Sequence, residues 1–205
     1  MQRHLPKIAA AALCLAAAPA FAADGNFFVS GNIGQSDYHA PNSSYLSHYG
    51  SIKSDTHDTA GALRFGYRWN NVVNYGVEAG YVDLGELTTT SNWNYGGSDR
   101  VRTKVRGWLL GGNVSYNFTP DWYISARAGL FRAHADVNAK ASFMGSSMEW
   151  HTYNATKTGE YAGLGVGYNI TQALSVGLNY DYHHARFQNT NGNIGMYSVS
   201  AEYRF

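Results

Sequence analysis

From Phe27 onward, apolar and polar side chains alternate with period two, segment after segment. In 27–35, Phe27, Val29 and Ile33 alternate with Phe28, Ser30, Asn32 and Gly34. In 59–69, Leu63, Phe65, Tyr67 and Trp69 alternate with Ala62, Arg64, Gly66 and Arg68. Tyr75, Val77, Ala79 and Tyr81 oppose Gly76, Glu78 and Gly80, and Trp108, Leu110, Val114 and Tyr116 oppose Leu109, Gly111, Asn113 and Ser115. Four further segments repeat the design, starting near Trp122, Gly163, Val176 and Gly195. Period two is the signature of a strand, whose successive side chains point to opposite faces. Eight strands are expected, the last running to Phe205.

The connectors define the architecture. Short ones near 70–74, 117–121 and 169–174 alternate with long polar ones near 37–58, 84–101, 137–158 and 184–193. That rhythm predicts an all-β, antiparallel, up-and-down sheet of eight strands that closes as a barrel, because closure removes its unpaired edges. The apolar parity carries Trp, Tyr, Phe and Leu, and the other parity carries mostly Gly, Ser, Asn and Ala. Small residues fit the narrow lumen of eight strands, so the bulky face points outward into lipid, giving a transmembrane β-barrel. Trp69, Tyr75, Tyr116, Trp122, Tyr168, Tyr203 and Phe205 fall near strand ends, as an interfacial girdle requires. The competing architecture is a secreted, lipocalin-like barrel with the bulky parity inside.

Composition adds a route. Arg3 and Lys7 precede the apolar run 8–18, and Ala20-Phe21-Ala22 closes it as a small-x-small cleavage site. These are the parts of a secretory signal peptide, expected over 1–22, leaving 23–205 as the outer-membrane barrel. Cys14, the only cysteine, leaves with that segment. With Arg3 and Lys7 gone, 13 basic residues face 14 acidic ones, which argues against a nucleic-acid partner.

The stretches "FGYRWNNVVNYGVEAGYVDLG" (65–85), "WYISARAGLFRAHAD" (122–136), "YNITQALSVGLNYDYHH" (168–184) and the ending "YSVSAEYRF" resemble the transmembrane domain of outer membrane protein A. Related small barrels of the OmpX and opacity-protein kind are similar. The resemblance implies an integral protein of the bacterial outer membrane. It also implies that the terminal aromatic strand, with Tyr203 and Phe205, is the signal read by the barrel-assembly machinery.

Inside, Arg64, Glu78, Arg127 and Asn179 lie at comparable heights above the short turns, with Asn32 and Asn113 nearby. A buried carboxylate and guanidinium must pair, so Glu78 is expected between Arg64 on the neighbouring strand and Arg127 across the lumen. Glu78 and Arg127 match charged lumen positions of the resembled family, which implies gating of small-ion leakage. The matching positions at Asn113, Gly167 and Gly177 offer no switchable partner. A structural plug and a narrow small-solute pore both remain open.

Outside, Arg100, Arg102, Lys104 and Arg106 share the parity of Trp108, and Arg132 and His134 share that of Leu130. Arg106 and Arg132 are each thirteen residues from a turn centred near 119, hence expected side by side. At ~3.3 Å per residue and ~40° tilt they stand roughly 33 Å up, clear of the ~25 Å apolar band. Arg forks suit phosphate, so lipopolysaccharide is the expected ligand of this row, a solvated extension being the alternative.

Lipid A enzymes need a His near a Ser or carboxylate at a lipid-accessible rim; the candidates are Asp181, His183 and His184, of which His183 points into the lumen. The positions two beyond the histidines hold Ala185 and Arg186, and no Ser stands in register, so no catalytic residue is assigned. His39, His48, His57 and His151 are scattered and read as surface residues, with no metal site and no cofactor expected. Tyr45, Trp93, Tyr95, Trp150 and Tyr153, set among Ser, Gly and Asn, resemble a paratope and suggest adhesion. Two function classes stand: a structural and interaction barrel, and a small-solute channel.

Overall fold

The computed structural model describes residues 25–38, 50–93, 97–143, 146–187 and 190–205. The expected signal segment and His39, Tyr45, His48 and Tyr95 lie outside the described residues. Nine strands follow in order: β1 (Gly25–Tyr38), β2 (Gly50–Asp55), β3 (His57–Trp69), β4 (Asn74–Trp93), β5 (Gly97–Asn117), β6 (Trp122–Phe143), β7 (Ser146–Asn169), β8 (Leu174–Phe187) and β9 (Thr190–Arg204).

Their hydrogen-bonded order is β2-β4-β3-β1-β9-β8-β7-β6-β5, and β4 also pairs with β5. Strands β1 and β3 to β9 therefore close a ring of eight, every pairing antiparallel. β2 extends the line of β3 past Thr56 and runs along the upper part of β4, from Asp55 opposite Thr88 to Gly50 opposite Trp93. In hydrocarbon every backbone N–H and C=O needs a partner, and a closed ring supplies one to each strand on both sides.

The three short turns are built by local side chains. Asn74 Oδ1 accepts from the Asn71 N–H, Thr119 Oγ1 from the Trp122 N–H, and Thr171 Oγ1 from the Leu174 N–H. At the other end the expectation of long loops needs correction. β4 runs to Trp93, β5 starts at Gly97, β6 reaches Phe143 and β7 starts at Ser146. In these upper segments the outer face turns from bulky apolar to polar and charged, while the inner face of β5 and β6 keeps small apolar residues such as Val105, Ala133 and Ala135. The backbone ladder continues after the bulky apolar parity has ended.

Ile33, Phe65, Trp108, Leu110, Leu164, Leu178 and Val199 are exposed, and the opposite parity is buried. A soluble barrel would hide these side chains at roughly 25 cal/mol per Å². The lipocalin-like alternative is thereby overturned: the bulky parity faces out. Aromatic contacts mark both edges of the apolar band. Near the short turns Trp69 stacks on Tyr75 at 5.5 Å and Trp122 meets Tyr168 at 5.3 Å. At the upper edge Tyr81 meets Trp108 at 5.1 Å and Tyr180 meets Tyr197 at 4.7 Å.

The chain end forms the seam. The backbones of Phe27 and Phe205 exchange hydrogen bonds of 3.1 and 3.0 Å, and their rings stack at 6.2 Å. Tyr203 lies opposite Val29 of β1.

Candidate functional site

Four ionised side chains meet in the lumen. Arg64 from β3 is one, and its strand partner across β4 is Gly80, while Glu78 sits one pair lower, opposite Gly66 and Gly111. Arg127 of β6, Gly163 of β7 and Asp181 of β8 form one row. A Cβ at Gly163 would collide with Asp181 Oδ1 and come within 3.0 Å of Arg127 Nε. The missing side chain is the space through which Arg127 reaches over β7.

Asp181, rather than Glu78, is the centre of this cluster. It is fully buried and accepts from Arg127 Nε at 2.7 Å and Nη2 at 3.0 Å, and from Arg64 Nη2 at 3.1 Å. Glu78 accepts instead from Tyr161 Oη at 2.8 Å and Asn113 Nδ2 at 3.1 Å, with Arg64 Nε only at 3.9 Å. Arg64 also donates to Asn32 Oδ1 at 2.8 Å. Two guanidiniums thus face two carboxylates with no net charge, the condition under which buried ions are tolerated. Arg64, Glu78 and Arg127 come together as the sequence predicts. Asn179 does not join them, donating to Ser200 Oγ at 2.8 Å. Asp181 and Tyr161 were missed, although their parity already marks them as lumen-facing.

A second ion pair lies nearer the short turns. Arg68 grips Glu202 at 2.8 and 3.2 Å across β1, donates to Asn113 Oδ1 at 2.9 Å, and rests 4.5 Å over the Phe28 ring. Between the two layers is a cavity of about 30 Å³, lined by Arg64, Arg68, Glu78, Asn113, Tyr123 and Ser200 among others. It is of the size that holds a water molecule.

Above the charges the lumen is apolar. Leu109 lies two residues beyond Gly111, the partner of Glu78, and opposite Phe131. With Val82, Leu84, Ile194 and Met196 these side chains form one buried cluster across the barrel. His183 belongs to this layer. Its ring packs edge-on to Phe131 at 5.0 Å and stacked near Tyr161 at 6.2 Å, and no side chain hydrogen-bonds its nitrogens. His184 bonds Asn193 at 2.6 Å instead. Asp181 is committed to two arginines, so the three former catalytic candidates share no acid–base geometry. Among the described residues no group of three His, Cys, Asp or Glu gathers as a metal site.

On the outer face the basic row is interleaved with acids. Lys104 meets Asp83 at 3.1 Å, Arg102 meets Glu86 at 3.4 Å and Arg106 meets Asp136 at 3.1 Å. Arg100 and Arg132 have no ion-pair partner among the described residues. The side-by-side placement of Arg106 and Arg132 is corrected by the register. Arg106 faces His134 and Arg132 faces Trp108, because Asn117 pairs with Tyr123 and the turn is centred on 120, not 119.

A bulge delivers two of those acids. Asp83 pairs with Arg106 and Glu86 with Lys104, so β4 carries one residue more than β5 between them. Gly85 supplies the kink at φ 77°, a left-handed conformation that side chains other than glycine's rarely adopt. Ser36 Oγ and Tyr38 Oη donate to the Leu84 carbonyl at 2.6 and 3.0 Å, and the Glu86 N–H donates to Asp58 Oδ2 at 2.6 Å. The extra residue inverts the parity of β4 above it, which puts both Asp83 and Glu86 on the outer face.

A closed ring of eight strands, an apolar exterior between two aromatic belts and an inward-facing ion cluster together define a small transmembrane β-barrel. The sequence matches the outer membrane protein beta-barrel domain family over residues 8–205. The chain belongs to that family and is an integral β-barrel of the outer membrane. Its structure is similar to the outer membrane protein OprG of Pseudomonas aeruginosa, at 12% identity and TM-score 0.55, covering 89% of this chain and 97% of that one. It is also similar to Ail, the attachment invasion locus protein of Yersinia pestis, at 16% identity and TM-score 0.45, covering 89% and 99%. Neisserial surface protein A follows at 14% identity and TM-score 0.42, covering 87% and 97%. At these identities the likeness is one of fold. No curated relative matches the sequence.

Proposed function

We propose that this protein is a sealed structural and interaction barrel, seated in the lipopolysaccharide leaflet by its outward basic residues. The observation that carries the reading is the double closure of the lumen. The paired charges around Asp181 are capped by the apolar layer of Leu109, Phe131, Val82 and Met196. A small-solute channel needs a continuous wet path, and a dry layer on top of neutralised charges supplies none. The work of such a barrel is then done by its outer surface.

Arg100, Arg102, Lys104, Arg106 and Arg132 are the proposed lipopolysaccharide-binding set. Arg132 stands beside Trp108 at the upper aromatic belt, where a lipid A phosphate would lie. Alternation of Lys104, Arg102 and Arg106 with Asp83, Glu86 and Asp136 keeps the rim close to neutral, leaving Arg132 and Arg100 without an ion-pair partner among the described residues. Tyr203 and Phe205 are the proposed assembly signal, consistent with their place at the β1–β9 seam. Adhesion is proposed for the tips, where Trp93, Trp150 and Tyr153 stand on strands rather than in loops.

Two measurements test the reading. Planar bilayers containing the purified protein should show no steady conductance; regular single-channel steps would overturn the sealed-barrel assignment. Added lipopolysaccharide should raise the thermal stability of the wild type more than that of Arg106→Ala/Arg132→Ala. Equal stabilisation of the two would remove lipid A phosphate from the account.

A further inference from the structure

The tall outer face of β4, β5 and β6 holds a concavity of about 280 Å³. Its cationic lining is Arg100, Arg102 and Lys140, and its neutral lining includes Asn92, Asn138 and Ser142. Among the described residues no carboxylate lines it, and Lys140 already has an interaction partner of its own. The register explains the convergence: Arg100 is opposite both Thr90 and Lys140, and Arg102 is opposite both Thr88 and Asn138, so all share one face. Glu86 reaches only Arg102, through Nε at 3.4 Å. Glu149 of β7 pairs with Lys140 in the strand register. Arg100, next to Lys140, has no ion-pair partner among the described residues.

Height separates this pocket from the lipid A tier. Arg100 lies six residues beyond Arg106 on β5. At ~3.3 Å per residue and ~40° tilt that is roughly 15 Å further from the apolar band. Acyl chains and the lipid A phosphates are below it. What surrounds the barrel at that level is sugar, and the sugars nearest the lipid carry phosphate. The pocket offers two kinds of group: planar guanidinium forks and an ammonium for a doubly charged oxygen cluster, and amides and hydroxyls for sugar hydroxyls. Apolar lining is almost absent, so it does not suit an acyl chain or a drug-like ligand.

We infer that Arg100, Arg102 and Lys140 form a binding site for a phosphorylated sugar of the lipopolysaccharide core, separate from the lipid A contact of Arg132. The inference rests on the leaflet-seated reading above and adds the sugar specificity of its upper tier. The barrel would then grip one lipopolysaccharide molecule at two heights. The lower grip recognises any lipid A, and the upper one selects a phosphorylated core.

The test uses the purified full chain in zwitterionic detergent and core oligosaccharide freed of lipid A, before and after phosphatase treatment. Binding is followed by calorimetry. The phosphorylated oligosaccharide should bind at least roughly tenfold more tightly than the dephosphorylated one, and Arg100→Gln/Lys140→Gln should lose that preference. Arg106→Ala/Arg132→Ala should keep it. Heat-modifiability of each variant confirms a folded barrel, since all four positions face away from the lumen. A wild type that ignores the phosphate, or a preference that survives Arg100→Gln/Lys140→Gln, overturns the site. Chondroitin sulfate binding as tightly as the phosphorylated core would overturn the core assignment in favour of an external sulfated glycan. Because the oligosaccharide carries no lipid, failure here is distinct from failure of the lipid A contact, which the stability comparison above reports separately.

Discussion

Asp181→Asn is the substitution that should hurt the barrel most, and the structure says by how much. The native carboxylate takes two bonds from Arg127 at 2.7 and 3.0 Å and one from Arg64 at 3.1 Å, fully buried. At an effective dielectric near 20, each such charge pair is worth about 4 kcal/mol gross. Neutralising Asp181 leaves two guanidiniums facing only Glu78, whose approach to Arg64 is 3.9 Å. Breaking a buried pair while keeping its partner typically costs about 3–5 kcal/mol net. Glu78→Gln should cost much less, about 1 kcal/mol, because its one remaining oxygen still accepts from Tyr161 and only the bond from Asn113 is lost. With a urea slope of about 2 kcal/mol per M, the midpoint of Asp181→Asn should fall by about 1.5–2.5 M and that of Glu78→Gln by about 0.5 M. Adding Arg127→Gln to Asp181→Asn removes the stranded cation, so the double variant should lose less than the sum of the singles. The assay is equilibrium unfolding in micelles followed by tryptophan fluorescence. If Glu78→Gln proves as costly as Asp181→Asn, Asp181 is not the hub. If neither moves the midpoint, the lumen is hydrated and the pairs are screened.

Three shorter expectations accompany it. Gly163→Val puts a side chain where Asp181 and Arg127 meet and should lower folding yield at least as strongly as Asp181→Asn; a stable Gly163→Val barrel would mean that the arginine does not cross β7 there. Gly85→Val forces a β-branched residue into φ 77° against Asp58, and should cost about 1–3 kcal/mol in the same unfolding assay, a cost that an unchanged midpoint would disprove. Deleting Phe205 or changing Phe205→Asp removes one side of the β1–β9 closure. Heat-modifiable barrel in the outer membrane should then disappear, and normal levels of it would show that the terminal aromatic is dispensable.

The lower half of the barrel was legible because lipid and lumen impose opposite demands on alternate residues. Phe65, Tyr67 and Trp69 against Arg64, Gly66 and Arg68 leave no choice of face. The upper halves of β4 to β7 were read as loops because the bulky apolar parity ends there: Thr88, Thr89 and Thr90 are polar on both faces of β4. On β6 the period persists only as Ala135, Val137 and Ala139 against Asp136, Asn138 and Lys140, a contrast of small against polar residues. The ion cluster was half legible. Parity placed Arg64, Glu78 and Arg127 inside, but the choice between Glu78 and Asp181 depends on Gly163, a residue whose contribution is an absence. On the outer face, a one-residue error in the turn centre shifted the pairing of β5 with β6 by two and made neighbours of Arg106 and Arg132. Of the acids beside the basic row, Glu86 was hidden by the bulge at Gly85, which no alternation pattern announces.

The two closures of the lumen are not at the same depth, and this makes the barrel asymmetric. The dry layer lies on the long-strand side, above the ions, while Arg68 and Glu202 line the approach from the short turns with about an eighth of their side chains exposed (12% each). In the sealed-barrel reading proposed above, the lumen is a blind well entered from the short-turn side. Protons, salt and denaturant arriving from that side would meet the charge network first, whereas the same agents arriving from the long-strand side would meet Phe131, Leu109 and Met196. A barrel built this way has an inner electrostatic lining that belongs chemically to one side of the membrane, and an outer face that belongs to the other.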